Sequence, residues 1–168
     1  MNKYIFITNG MARCGKDTFA IYMNDIIPTL KYSSIDKVKE IAKLCGWNGE
    51  SKTEKDRKFL SDLKLLTSEY SDMSFKVIED KVNEFKVDDR FKVMLIDIRE
   101  PKEIEKAKNA FGAKTILIEN NRVEFVSSNM ADANVFNYTY DFCIKNNGTL
   151  DEFRSNVYEF ACREILNA

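Results

Sequence analysis

The sequence contains no histidine, and this absence excludes several kinds of chemistry at once. A histidine general base, a histidine-activated nucleophile and a histidine metal ligand are all impossible in this chain. The four cysteines are widely spaced and never form a C-x-x-C pair; they are Cys14, Cys45, Cys143 and Cys162. A structural zinc site would need all four distant thiolates, so we expect buried free thiols in a cytoplasmic protein.

The sequence also lacks an excess of charge of one sign, because 26 basic residues oppose 27 acidic ones. The formal net charge of -1 argues against a nucleic-acid or membrane-surface partner, although a local basic cleft remains open. No apolar run approaches the length of about 18 residues that a membrane span needs. The N-terminus begins as a strand rather than as a secretory signal. We therefore expect a cytoplasmic monomer or homodimer without a membrane or nucleic-acid partner.

What the sequence does contain is an alternation of short apolar runs with segments of helical spacing. At 168 residues, the chain fits a single domain covering residues 1–168. The alternation predicts an α/β fold with a five-stranded, mainly parallel sheet and helices on both faces. The predicted strands are 3–9, 30–34, 91–98, 115–118 and 141–145, and the predicted helices are 17–27, 36–45, 53–70, 74–85, 101–111 and 150–166.

The segment G-M-A-R-C-G-K-D-T, residues 10–18, lies between the first predicted strand and the first predicted helix. Except for its Asp, it fits G-x-x-x-x-G-K-[ST], a loop whose backbone N–H groups and helix N-terminus bind phosphates. The alternative is a plain strand-to-helix turn whose glycines allow positive φ. We interpret the segment as a nucleotide-binding phosphate loop made of Gly10, Met11, Ala12, Arg13, Cys14, Gly15, Lys16, Asp17 and Thr18.

Asp97 ends the apolar run V-M-L-I and supplies the second element that such a site needs. An acid at the end of a neighbouring parallel strand holds Mg²⁺ beside the phosphates, directly or through water. The alternatives are a helix cap and a solvated loop acid. Because Asp97 accompanies a phosphate loop, we interpret it as a metal ligand.

Asp17 occupies the position where the loop pattern has a hydroxyl. An acid in the first turn of a helix gains about 0.3–1 kcal/mol from the helix dipole. At about 4 Å and an effective dielectric of about 20, however, it would repel a phosphate charge by about 4 kcal/mol. A cation must therefore intervene, and we predict that Asp17 holds Mg²⁺. Thr18 would then contact the α-phosphate or serve as the hydroxyl ligand of the metal.

Other motifs narrow the class of phosphate-loop protein. The sequence has no N-K-x-D or T-K-x-D segment, which a GTPase uses to recognise its base, and no L-S-G-G-Q segment of a transporter ATPase. The short chain, the basic helix after the second strand and the late loop region favour a small-molecule kinase.

The loop G-M-A-R-C-G-K-D-T resembles that of bacteriophage-type deoxynucleoside monophosphate kinases, which likewise carry G-K-D-T. The similarity extends in order over most of the chain, through S-S-I-D-K-V-K-E-I-A, G-W-N-G, E-K-D-R-K-F-L, D-I-R-E-P-K-E-I and D-F-C-I-K-N-N-G-T-L-D-E-F. It implies a three-layer P-loop NTPase fold of the adenylate-kinase-like type. It also implies ATP and Mg²⁺ as cofactors and transfer of the γ-phosphoryl group to a nucleoside monophosphate, a deoxynucleoside monophosphate in particular.

The resemblance also implies roles for individual residues. Lys16 would follow the transferring group and, with Asp97 and Arg99, form the catalytic set. Arg57 and Arg99 would bind the acceptor phosphate through bidentate contacts. The alternatives are a solvated helix face for Arg57 and an ion pair with Glu103 for Arg99.

A helical substrate-binding segment is expected over residues 35–88 and a lid-like loop over residues 120–140. In the first segment, Asp36 and Lys39 match substrate-side positions, although Asp36 fits a helix N-cap equally well. Trp47 either packs against a base or covers the core. Arg122 is the lid-like segment's one arginine and is assigned to substrate binding, while Arg13 offers a substitute from the phosphate loop.

Two other functions stay open. Animal phosphomevalonate kinases share the G-K-D loop, so the acceptor is either a nucleotide or a phosphorylated metabolite such as phosphomevalonate. The scarcity of arginine in the lid-like segment also fits a non-catalytic nucleotide-binding protein.

Overall fold

The computed structural model describes residues 2–50, 53–123 and 134–167, which form a single five-stranded sheet with helices around it. The strands are β1 (Tyr4–Asn9), β2 (Thr29–Ser33), β3 (Val93–Asp97), β4 (Lys114–Glu119) and β5 (Phe142–Lys145). The helices are α1 (Lys16–Ile26), α2 (Asp36–Leu44), α3 (Glu54–Ser71), α4 (Met73–Val87), α5 (Pro101–Phe111) and α6 (Leu150–Ala161), and a π-helical turn, Cys162–Leu166, continues α6.

The sheet has the order β2-β3-β1-β4-β5, and each neighbouring pair is parallel. Parallel strands need crossovers, and the helices of these crossovers cover both faces of the sheet. Neighbouring residues of β1 show this, because Phe6 packs in one core and Ile7 in the other. The first core holds Phe19 of α1 and Phe160 of α6, and the second holds residues of α4 and α5. The predicted three-layer α/β fold is therefore confirmed.

Helix boundaries follow local chemistry where the ends carry strong signals. Thr53 and Asp56 form a reciprocal capping box at the start of α3, where the predicted helix 53–70 begins. Gly112, in the left-handed region with φ 62°, ends α5 as predicted. The prediction of Asp36 as an N-cap is wrong, because Ile35 caps α2 and Asp36 is its first residue. The carboxylate of Asp36 instead accepts the backbone N–H of Ser33 at 2.9 Å.

Helix α3 differs most from its prediction. Its apolar spacing predicts a helix with Leu66 and Tyr70 on one apolar face, yet these side chains are 64% and 90% exposed. None of the α3 residues is buried. The spacing correctly predicts a helix, but amphipathicity alone does not reveal what a helix packs against.

The cysteines are free thiols with different exposure. Cys14 is buried, but Cys45 and Cys143 are exposed, so the prediction of buried thiols is wrong for two of the four cysteines.

Of the predicted lid-like loop, residues 124–133 lie outside the described residues. No helix in the described part of the chain is long and apolar enough to cross a membrane.

Candidate active site

The phosphate loop has a backbone that demands glycine at two positions. Gly10 has φ 151°, and a methyl group there would lie 2.4 Å from the carbonyl oxygen of Ile118. Gly15 has φ 107°, and a methyl group there would lie 2.5 Å from Nδ2 of Asn146. Arg13, at φ 65°, adopts a left-handed conformation that non-glycine residues rarely take. A plain turn requires positive φ but not such close packing, so this geometry favours a built anion-binding loop.

Lys16 folds its side chain back into the loop. Its Nζ donates hydrogen bonds to the carbonyl oxygens of Gly10 at 2.6 Å and Met11 at 2.9 Å. It also lies 3.7 Å from Sγ of Cys14. Burial raises the pKa of the Cys14 thiol, although the charge of Lys16 opposes this effect. Cys14 therefore packs as a neutral thiol, and Lys16 is the mobile charge of the loop.

Asn146, which follows β5, fastens the loop from below. Its buried Nδ2 donates to the carbonyl of Cys14 at 2.9 Å, and its backbone N–H donates to the carbonyl of Glu119 at 2.7 Å. Arg122 donates from Nη2 to the Asn146 carbonyl at 3.3 Å. The sequence prediction did not include Asn146, whose only signal was its place after the last strand.

Asp97 ends β3, at the carboxyl ends of the parallel strands, where the phosphate loop follows β1. It is in register with Thr8 of β1 and Ser33 of β2. The Thr8 hydroxyl donates to its Oδ1, and Nζ of Lys31 lies 3.1 Å from its Oδ2. The same Lys31 ammonium donates to Oδ1 of Asp17. Lys31 thus joins the two carboxylates that the sequence assigned to Mg²⁺.

The pKa shifts of Asp17 and Lys31 agree with the expectation that a cation lies beside Asp17. A hydrogen bond from Lys31 lowers the pKa of Asp17 below its ordinary value. Burial alone would lower the pKa of Lys31, but the charge of Asp97 and the hydrogen bond to Asp17 outweigh burial and raise it. Asp17 is therefore a carboxylate and Lys31 an ammonium near neutral pH.

The donor set suits a hard cation such as Mg²⁺. Carboxylate and hydroxyl oxygens are available from Asp17, Asp97 and the half-buried Thr18. Within residues 2–50, 53–123 and 134–167, no group of three or more acidic, Cys or His side chains is arranged to hold a metal by itself. A Mg²⁺ ion here would need additional phosphate and water ligands, which is the usual arrangement at phosphoryl-transfer sites.

Three of the predicted acceptor residues follow the adjacent strands β2 and β3. Asp36 pairs with Lys39 at 3.2 Å on the first turn of α2. Arg99 is half-buried after β3, where its carbonyl accepts Nδ2 of Asn9 at 3.1 Å. Arg57 is exposed at the start of α3, whose first residues line a groove with Trp47 beyond the end of α2. Arg122 follows β4, on the other side of the phosphate loop from β2 and β3.

Glu103, the predicted alternative partner of Arg99, makes an ion pair with Nζ of Lys64 at 2.6 Å. Trp47 is half-buried and lines an open groove of about 310 Å³ with Cys45 and Phe59. Acceptor binding or an ion pair with Glu103 therefore remains a prediction for Arg99. Packing against a base or covering the core remains a prediction for Trp47.

A cavity of about 40 Å³ is lined by residues of α3, α4 and α5 and by Ser34 and Ile98, which follow β2 and β3. Ser34, which lines it, donates its backbone N–H to the Asp97 carbonyl at 3.1 Å. Two hydroxyls of the lining, Ser68 Oγ and Ser74 Oγ, are buried without a hydrogen-bond partner. Buried polar atoms normally find partners, so an unsatisfied pair in one cavity points to a ligand or to bound water.

The rest of the cavity lining is apolar or already ion-paired. Phe75 stacks on Phe111 at 5.5 Å between ring centroids, and Ile78 and Ile98 complete the apolar wall. Lys106 covers the Phe75 ring at 4.0 Å and pairs with Asp72. The cavity therefore offers an aromatic ring, aliphatic surface and hydroxyls, with one neutralised cation.

Comparison with solved structures identifies the fold. The chain is similar to a putative kinase from Chloroflexus aurantiacus, with a TM-score of 0.55 and 11% identity over 99% of this chain and 97% of that chain. It is also similar to shikimate kinase from Aquifex aeolicus, with a TM-score of 0.54 and 11% identity over 98% and 99%. For dephospho-CoA kinase from Campylobacter jejuni, the values are 0.53 and 16% over 96% and 97%.

The chain has the three-layer α/β fold of P-loop NTPases. At these identities the likeness extends to the fold alone. No protein-family model matches the sequence, and no curated protein matches it. This fold agrees with the phosphate loop and with Asp97 at the end of the neighbouring parallel strand, where a magnesium-holding acid is expected.

Proposed function

We propose that this chain is an ATP-dependent kinase that transfers the γ-phosphoryl group to a nucleoside monophosphate, a deoxynucleoside monophosphate in particular. The observation that carries the proposal is the cavity lined by Ser34 and Ile98, whose unpartnered Ser68 and Ser74 hydroxyls suit the polar edge of a nucleobase. Ser34 and Ile98 follow β2 and β3 at the same ends of the strands as Asp97, which together with Asp17 suits Mg²⁺. Donor, metal and acceptor sites would thus meet at one edge of the sheet.

On the donor side, the loop would bind the ATP phosphates through backbone N–H groups and the N-terminus of α1. Lys16 would exchange its hydrogen bonds with the Gly10 and Met11 carbonyls for contacts with the transferring phosphoryl group. Asp17 and Asp97, with the Thr18 hydroxyl, would hold Mg²⁺, which when bound neutralises phosphate charge. Arg122 and Asn146 would support the loop from the β4–β5 side.

On the acceptor side, Arg57 and Arg99 are proposed to bind the monophosphate and hold it in line with the donor. Asp36 and Lys39 would support the same segment, residues 35–88. The cavity of about 40 Å³ is wide enough for the edge of a base but not for a whole base. Because α3 has no buried residue, it is the element that can shift outward as the base enters.

The lining also distinguishes between the two acceptor classes. A phosphorylated metabolite without a base would be recognised mainly by cations. The cation of the cavity, Lys106, already pairs with Asp72 and covers Phe75. Unsatisfied hydroxyls on an apolar wall are better suited to bond the polar edge of a base.

The decisive experiment is ADP formation from ATP and Mg²⁺ with a panel of ribo- and deoxynucleoside monophosphates. We expect turnover that depends on one added monophosphate. Lys16→Met should lower kcat by a factor of about 100 or more, because a positioned charge on the phosphoryl group is lost. Lys58→Met, which removes an exposed lysine paired with Asp62, is the matched control and should stay within about twofold of the unmodified chain.

Each other outcome identifies a different function. Turnover with phosphomevalonate alone would replace the nucleotide acceptor by a phosphorylated metabolite. Tight ATP binding without transfer to any acceptor would indicate a non-catalytic nucleotide-binding protein.

A further inference from the structure

Lys31 is placed to contact two separate elements of the candidate active site at once. It lies on the edge strand β2 opposite Leu95 of β3, and Ser33 lies opposite Asp97. Lys31, Ser33 and Asp97 therefore share one face of the sheet, because strand side chains alternate between faces. The long Lys31 side chain runs along this face until its ammonium lies between Asp97 and Asp17 of α1.

This arrangement is unlike an ordinary surface ion pair. Lys37 and Lys58, for example, each pair with one acid on the same helix. Lys31 instead joins carboxylates from a strand and from a helix, and its side chain is only 28% exposed. The carboxylates of Asp17 and Asp97 both contact the Lys31 ammonium, so they would repel each other if that ammonium were removed.

The two carboxylates are also those that the proposed function assigns to Mg²⁺. A divalent ion entering between them would meet the Lys31 ammonium already in place. The pair and the lysine together carry a net charge of about -1, whereas the pair alone carries about -2. Lys31 therefore weakens the attraction of the site for a free metal ion, although phosphate oxygens brought by the nucleotide would restore it.

We propose that Lys31 is an exchangeable cation of the active site, which competes with Mg²⁺ for Asp17 and Asp97 and moves to phosphate oxygens when the metal–nucleotide binds. The proposal rests on the proposed function only for the identity of the metal–nucleotide. Its consequence is that the protein binds Mg²⁺ alone only weakly and takes it up more tightly together with ATP. After Mg²⁺ has displaced it from the carboxylates, the Lys31 ammonium would supply a positive charge to the phosphates.

The first test measures Mn²⁺ binding without nucleotide, by electron paramagnetic resonance of the free ion. Lys31→Met should bind Mn²⁺ about tenfold or more tightly than the unmodified chain, because the competing charge is gone. Lys114→Met is the matched control, since Lys114 is also a strand lysine in an ion pair, with Glu164 at 3.3 Å, at the start of β4. It should leave Mn²⁺ affinity unchanged. Equal or weaker Mn²⁺ binding by a folded Lys31→Met variant overturns the proposal.

A second test needs no variant and does not depend on the folding of Lys31→Met. Reductive methylation of the unmodified protein, followed residue by residue by mass spectrometry, reports how free each lysine amine is. Mg²⁺ alone at saturating concentration should raise the labelling rate of Lys31 severalfold and leave that of Lys114 unchanged. An unchanged Lys31 rate while Mg²⁺ is bound would show a fixed ion pair and overturn the proposal.

Both readouts are independent of turnover. If a nucleoside monophosphate is phosphorylated but neither Mn²⁺ affinity nor Lys31 labelling responds, the exchange is wrong and the kinase function stands. If the exchange is observed without transfer to any acceptor, the kinase function is wrong and the exchange stands.

Discussion

The two sides of the candidate active site are built differently. The proposed donor side consists of buried strands and a loop held by backbone geometry, with β3 residues Val93 to Ile96 at most 1% exposed. The proposed acceptor side consists of helices, of which α3 has no buried residue, around a cavity with two unsatisfied hydroxyls. ATP is common to kinases, whereas acceptors vary. A rigid donor side and an adaptable acceptor side would match that difference.

The largest effect that would sharpen this comparison is expected at Gly10. Its φ of 151° and the 2.4 Å approach to the Ile118 carbonyl leave no room for a methyl group. Gly10→Ala should lower the free energy of unfolding by about 3 kcal/mol or more and abolish ATP binding, because backbone must move. Urea unfolding and calorimetric ATP titration measure the two effects.

Gly112→Ala is the matched control for Gly10→Ala. Gly112 also has positive φ, at 62°, but a methyl group there meets nothing within 4 Å. It should cost only about 1 kcal/mol of backbone strain and leave ATP binding unchanged. Equal losses in the two variants would show that the loop tolerates the displacement and would contradict a rigid donor side.

The same contrast decides what could be predicted from the sequence. The phosphate loop can be predicted because its glycines, Lys16 and flanking strand are contiguous in the chain. The partners of the Asp97 carboxylate cannot be predicted in this way, because Lys31 and Thr8 reach it from other strands. Likewise, Asn146 reaches Cys14 across the fold. Contacts of this kind depend on strand order and register, which single-sequence periodicity does not determine.

The acceptor side was predicted less well for a different reason. Helical spacing predicts that α3 exists and that Leu66 and Tyr70 share its apolar face, but not that this face stays exposed. The cavity hydroxyls of Ser68 and Ser74 carry no sequence motif. Their significance lies in the lack of a partner, which only the structure reveals.

The next effect in size concerns Asn146, which secures the donor loop. Asn146→Ala removes its hydrogen bond to the buried Cys14 carbonyl and should cost about 1–3 kcal/mol of stability. ATP affinity should fall as well, because the loop loses its support. Chemical unfolding and ATP titration measure both quantities.

Asn156→Ala is the control for the Asn146 variant. The exposed Asn156 also donates from Nδ2 to a backbone carbonyl, that of Lys145 at 2.9 Å. Because water can replace this bond, the change should cost no more than about 0.5 kcal/mol and leave ATP affinity unaltered. A comparable loss at both positions would mean that burial at Asn146 has no special effect on the loop.

A smaller effect, of opposite sign on stability, is expected at Ser74 on the acceptor side. Its buried hydroxyl has no partner, so Ser74→Ala should leave the free energy of unfolding unchanged or raise it by up to about 1 kcal/mol. If the hydroxyl bonds the acceptor, the same change should raise the acceptor KM about threefold to tenfold. Thermal unfolding and initial rates measure the two effects.

Ser71→Ala provides the comparison, because the Ser71 hydroxyl already donates to the Thr67 carbonyl at 3.2 Å. It should leave the acceptor KM unchanged. A Ser74→Ala variant that loses stability without any change in KM would indicate a structural water in the cavity and no acceptor contact.

The smallest effect is expected on the outer surface of α3, and it tests how tightly α3 packs against the rest of the molecule. Leu66 is 64% exposed, so Leu66→Gln should change the free energy of unfolding by less than about 0.5 kcal/mol. Ile78→Ala, at a buried α4 position that is 2% exposed, should cost about 2–5 kcal/mol in urea unfolding. Sedimentation velocity of both proteins completes the test. A large loss in Leu66→Gln, together with a decrease in molecular mass, would show that a second copy covers α3, and the freedom of this helix to shift would then depend on subunit association.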